Sequence, residues 1–153
     1  MTLWVVKIGT SLLRGETAST IDGYARCFAG AMDRGDQVVL VTSGAVGLGC
    51  QKLALTNRPD TLVALQAAAA IGQGALMALY ERAMERHGRS VAQVLLTRSD
   101  LADRRRYQNA SGTLRQLLSW GVLPVINEND ALSPAELRFG DNDTLSALVA
   151  AAV

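Results

Sequence analysis

Four short stretches of this chain, LWVVKI, QVVLVTS, SVAQVLLT and VLPVIN, are β-branched and nearly unbroken in hydrophobicity. Strands with one wet face alternate apolar and polar residues; strands of a parallel sheet, covered by helices on both faces, read as continuous apolar runs. Helical stretches lie between the four. One runs from about Thr17 to Arg34 and is ended by Gly35; the Ala-rich run from Thr61 stops at Gly88. A third covers Arg104 to Trp120 before Gly121, and the last begins near Asp143 and continues to Val153. Glycine just past the last periodic residue is a helix C-terminal signal. The alternation predicts an α/β fold, a mainly parallel sheet sandwiched between helices. A chain of 153 residues is the size of one domain and can bury roughly 70% of its unfolded surface.

Composition narrows the function classes. The formal net charge is +1, so nothing calls for nucleic acid or an anionic membrane as partner. The basic triplet Arg104-Arg105-Arg106 is flanked by Asp100 and Asp103 and reads as a solvated helix face. Cys27 and Cys50 have no ligand spacing, and with His87 as the one histidine a zinc site is not expected. The two cysteines read as free, buried thiols of a reducing cytoplasm. Lys7 interrupts the apolar N-terminus, which also lacks a basic start and a cleavage site, so it is no signal peptide. No apolar run is expected to span a bilayer, which takes roughly 20 residues.

In parallel α/β sheets ligands bind beyond the carboxyl ends of the strands, so the residues after each strand carry the functional information. After the first comes KIGTS. Gly9 permits a tight turn or a close ligand, and Thr10 and Ser11 add donors. Lys7 is a charge in an apolar strand, and burying it is costly without an anion or carboxylate beside it. The plainer alternative is a lysine at the strand's end reaching solvent. After the second strand, TSGAVGLG places Gly44, Gly47 and Gly49 at what reads as a helix start, a form suited to an anion. It has neither the Lys-Ser/Thr ending of a Walker loop nor the dinucleotide glycine spacing. After the third, TRSDLADRR reads as helix capping by Thr97, Ser99 and the aspartates. After the fourth comes NENDALSPAELRFGDND, dense in carboxylates and amides. Cationic and anion-binding features meeting this acidic loop suit a zwitterion with a phosphate, or a phosphate with Mg²⁺.

VVKIGTS, VLVTSGAVGLG, AAIGQ, LLTRSD, VLPVINENDA and GDNDTLSALVA together resemble the amino acid kinase family, and within it the glutamate 5-kinases. The likeness runs from about Val5 to the last residue. INENDA followed by GDND is its specific part; KIGTS and VTSGA are shared with aspartate, carbamate and UMP kinases. The resemblance implies ATP-dependent phosphorylation of the γ-carboxylate of L-glutamate, the first step of proline biosynthesis, with Mg²⁺ bound alongside ATP. It implies Lys7 as the lysine contacting the transferred phosphoryl group, with Gly9, Thr10 and Gly44 at the phosphates. Ser43, Asp130 and Asn142 would bind glutamate, and Asp143 would organise the active-site lysines. It implies a homo-oligomer, proline as feedback inhibitor, and a glutamyl phosphate reductase consuming the product; the residue counts above add the expectation of no metal ligands and of a cytoplasmic protein.

The family's kinase domain is longer than this chain. Residues 1–153 are therefore expected to be the N-terminal, substrate-binding part of an amino acid kinase domain, an incomplete fold without the nucleotide-binding part and inactive alone. Two alternatives stand beside a glutamate kinase: a non-catalytic amino-acid-binding module, and a related amino acid kinase with a different substrate. The run AAAAIGQG has the small residues that let helices approach, either in the core or against a second subunit.

Overall fold

The structure, a computed structural model, describes residues 1–13, 17–132 and 141–153. Four strands, β1 (Leu3–Ile8), β2 (Gln37–Thr42), β3 (Val91–Leu96) and β4 (Leu123–Glu128), alternate with helices along the chain. The helices are α1 (Thr17–Asp33), α2 (Ala45–Lys52), α3 (Leu62–Glu85), α4 (Arg98–Ala102), α5 (Arg104–Ser119) and α6 (Asp141–Ala152). Among the described residues the strands form one sheet in the order β1-β2-β4-β3, every pair parallel. The β2–β4 ladder pairs only Leu40 with Val125 and Val41 with Ile126. It begins just past Pro124, which has no N–H to contribute.

Alternation along the strands divides the core in two. Ile8, Val38, Leu40, Leu123 and Val125 pack with Ile21 and Phe28 of α1 and with Leu76, Tyr80 and Met84 of α3. Val39, Val41 and Ile126 pack on the other face with Leu114 of α5 and Leu145 and Val149 of α6. The result is a sheet between two helical layers, as the apolar runs predict. Burial on both faces holds for β2 and β4 but not for β1, where Leu3 and Trp4 are 37% and 51% exposed, nor for Gln93 of β3. Those two strands are the edges of the described sheet, and an edge position explains the difference.

The predicted helix ends hold. Gly35 has φ +86°, and the Asp36 N–H reaches back to the Ala31 carbonyl; Gly88 and Gly121 end α3 and α5 in the same way. Within AAAAIGQG, a Cβ on Gly72 would lie 1.7 Å from the Ala45 carbonyl oxygen, and one on Gly49 would lie 1.8 Å from that of Ala68. The small residues thus let α2 and α3 touch backbone to backbone. Two expectations need correction. Cys27 is exposed and Cys50 half-buried, so neither is a buried thiol. Helix α3 is, by length and composition, apolar enough to cross a membrane. Leu76, Tyr80 and Met84 instead seat it on the sheet.

Candidate functional site

The carboxyl ends of β1, β2 and β4 converge with the first turn of α6. Lys7 shares its face of β1 with Val5, toward α6, and its ammonium lies 2.7 Å from Asp143 Oδ1. Lys7 keeps 32% of its side-chain surface exposed and Asp143 68%, so the pair is open to a ligand rather than sealed in the core. Gly9 makes room for it: a Cβ there would come within 3.0 Å of Lys7 Nζ. Thr10 opens the 3-10 turn Thr10–Leu13 immediately after Gly9. Lys7 therefore combines both sequence-level alternatives, half in solvent and paired with a carboxylate.

The Ser43 N–H extends the β1–β2 ladder by bonding the Ile8 carbonyl. Gly44 follows with φ +106° and serves as the N-cap of α2 without a capping side chain. An uncapped helix start of this kind leaves N–H groups for an anion. Gly47 and Gly49 are not part of that turn: both lie inside α2, and Gly49 is the packing contact with α3.

Asn142, the second residue of α6, binds the tips together. Its Nδ2 lies 2.6 Å from the Thr42 carbonyl oxygen, 2.7 Å from Ser43 Oγ and 3.0 Å from Asn127 Oδ1. Asn127, 1% exposed at the end of β4, also accepts from the Glu128 N–H at 2.9 Å and donates from Nδ2 to Gln73 Oε1 at 2.8 Å. Gln73 in turn donates to Gln93 Oε1 at 3.0 Å. Below this chain Thr42 Oγ1 meets the Tyr80 hydroxyl at 2.9 Å, and burial pushes the Tyr80 phenol up to about 12, keeping it neutral.

Beside the amides opens a cleft of about 290 Å³, lined by Ala45, Gln73, Gln93, Glu128 and Asp130 among others. Ser43, Asn142, Lys7 and Asp143 thus share one junction of strand ends, and Asp130 lines the cleft that Gln73 connects to it. Residues 133–140 of the acidic loop lie outside the described residues. No group of three or more His, Cys, Asp or Glu able to hold a metal occurs among the described residues. The TRSD segment is structural as predicted, with Thr97 capping α4 in a reciprocal pair with Asp100 and Asp103 capping α5. Gln73 and Asn127 went unnoticed in the sequence as site residues. The signal was there: Gln73 precedes Leu76 and Tyr80 by three and seven residues, so it is a polar group on the buried face of an apolar helix.

The sequence profile of the amino acid kinase family matches residues 2–153. The chain belongs to that family. Along its whole length it is 97% identical to a glutamate 5-kinase of Synechococcus sp. (strain CC9605), of which it spans 43%. It is 70% identical over 157 residues to the glutamate 5-kinase of Prochlorococcus marinus (strain MIT 9313), of which it spans 44%. The chain thus covers less than half the length of each of these amino acid kinase relatives. Among solved structures, the Giardia carbamate kinase superposes with a TM-score of 0.64 at 16% identity, over 97% of this chain and 70% of that one. The Synechocystis aspartate kinase gives 0.60 at 18% identity, over 97% and 26%. At such identities the likeness concerns the amino acid kinase fold alone.

Proposed function

We propose that the whole protein is an ATP-dependent glutamate 5-kinase and that residues 1–153 form its glutamate-binding part. The 97% identity to a glutamate 5-kinase along the entire chain carries this reading. The site chemistry supports it. Ser43, Asn142 and Asp130 offer hydroxyl, amide and carboxylate contacts for a small zwitterion. Lys7, Gly9, Thr10 and the Gly44 turn suit phosphates, with Asp143 fixing the lysine.

The substrate's γ-carboxylate is ionised at neutral pH, so the nucleophile needs no general base. One carboxylate oxygen bonds to the γ-phosphorus of ATP as the bond to the ADP oxygen breaks. The difficulty is bringing two anions together, and the remedies are positioning and charge neutralisation. Bound ATP with Mg²⁺ supplies the phosphoryl group and part of that neutralisation. Lys7 supplies the rest from this chain. The enzyme would be a cytoplasmic homo-oligomer in proline biosynthesis, its acyl phosphate product passing to a glutamyl phosphate reductase and proline inhibiting it. A kinase assay of the full-length protein with glutamate, aspartate, carbamate and UMP tests the reading. Phosphate transfer to glutamate is expected; transfer only to another acceptor rejects it.

A further inference from the structure

The carboxamide chain has a direction. Each amide in it is oriented by the next: Gln73 gives Nε2 to Gln93 and therefore turns Oε1 to Asn127. Asn127 gives Nδ2 to Gln73, so its Oδ1 faces Asn142, where it is also held by the Glu128 N–H. Asn142 then presents Nδ2, not Oδ1, to Ser43 Oγ, an orientation that the Thr42 carbonyl, 2.6 Å from the same nitrogen, enforces together with Asn127 Oδ1. A serine hydroxyl that accepts in this way keeps its proton for a second partner. The polarity of the Ser43 contact is thus set by the Thr42 carbonyl and by an amide chain that runs back to Gln73.

Resting on the glutamate-kinase reading above, we propose that Gln73 is a positioning residue for the carboxylate substrate. It holds Asn127, Asn127 holds Asn142, and Asn142 leaves the Ser43 hydroxyl a hydrogen-bond donor. Gln73 is suited to this because it is 8% exposed and sits on α3, whose backbone contact with α2 through Gly72 leaves it no room to drift. With the acceptor gone, Asn127 Nδ2 is a buried donor without its partner, a loss that favours rearrangement of the chain.

The test is steady-state kinetics on the full-length enzyme. Gln73→Met keeps the length and removes both hydrogen bonds. The glutamate KM is expected to rise about tenfold while kcat and the ATP KM stay within about threefold. Gln73→Glu, whose carboxyl still accepts from Asn127 Nδ2, is expected to recover most of that loss. An unchanged glutamate KM in Gln73→Met overturns the proposal, as does an equal rise in both KM values or a Gln73→Glu variant no better than Gln73→Met. Should Gln73→Met not fold, Gln93→Met carries the test from the exposed end of the chain, where a twofold to threefold rise in glutamate KM is expected and no rise overturns it. A wild-type enzyme that does not phosphorylate glutamate removes the underlying reading instead, so the two failures are distinct.

Discussion

Lys7 and Asp130 have separable tasks under the kinase reading. The Lys7 ammonium, 2.7 Å from Asp143, keeps about a third of its side chain exposed and can meet charge that develops on the transferred group. Its contribution belongs mainly to the transition state. In the full-length enzyme Lys7→Ala is expected to lower kcat by about 10² to 10³ with little change in glutamate KM. Asp130, in the wall of the cleft, is placed to bind the ground state. Asp130→Ala is expected to raise glutamate KM about tenfold or more, the range for a hydrogen bond to a charged group. Rate measurements across a glutamate series separate the two effects, and interchanged outcomes would reverse the roles. Gly9 offers a subtler test. A methyl there presses on the end of the flexible Lys7 side chain, which can move aside without disturbing the fold, and meets Ser11 Oγ at an ordinary contact distance. Gly9→Ala should therefore melt within a degree or two of wild type, by about the margin of a neutral surface change. It should nonetheless lose activity, because the displaced ammonium leaves Asp143.

At the scale of elements, the turn between β3 and α5 is held by capping. Thr97 accepts from the Asp100 N–H, and Asp100 Oδ2 accepts from the Thr97 N–H at 2.7 Å and its hydroxyl at 2.6 Å. The Thr97 hydroxyl, then its backbone N–H, hold the Asp100 carboxyl below the ordinary value of 3.8, with Arg106 adding a smaller pull. A carboxyl with a lowered folded pKa contributes stability that is present above its unfolded value and is lost as pH falls through the folded one. Thr97→Ala is expected to cost about 1 kcal/mol near neutrality, and the gap to wild type should narrow in melts taken below the ordinary carboxylate range. A pH-independent gap would mean that the cap acts without the carboxylate charge. This turn was legible in the sequence because capping is local: Thr97, Ser99, Asp100 and Asp103 lie within seven residues. The strands and the glycine-ended helices were legible for the same reason. Helix α2 was read only as a helix start, and its close seat on α3 depends on Gly49 meeting Ala68 and Gly72 meeting Ala45, pairings that sequence spacing does not encode. The exposure of β1 was missed likewise, since an edge strand is defined by its neighbours and not by its own apolar run.

Across the whole molecule, the site depends on α6 being docked, since α6 brings Asn142 and Asp143 to strand ends roughly a hundred residues earlier in the chain. Two contacts secure it. Leu145 and Val149, 2% and 0% exposed, fill the layer between α5 and the sheet. At the other end Ser111 Oγ donates to the Ala152 carbonyl at 2.5 Å and the Tyr107 hydroxyl to that of Ala151 at 2.9 Å, satisfying carbonyls at the last turn. Met84, 0% exposed, packs equally deeply but at the end of α3, beside the start of β3 and away from the tips. Leu145→Ala and Met84→Ala should each destabilise by about 2 to 5 kcal/mol. Their kinetic effects should differ. At a temperature where both full-length variants remain folded, Leu145→Ala lets the first turn of α6 shift against Ser43 and Lys7, so both glutamate KM and kcat should worsen several-fold. Met84→Ala should leave both near wild type. Melting curves establish the matched stability loss, and glutamate-dependent rates then report on the site; equal kinetics in the two variants would mean that α6 holds its first turn by the tip contacts alone.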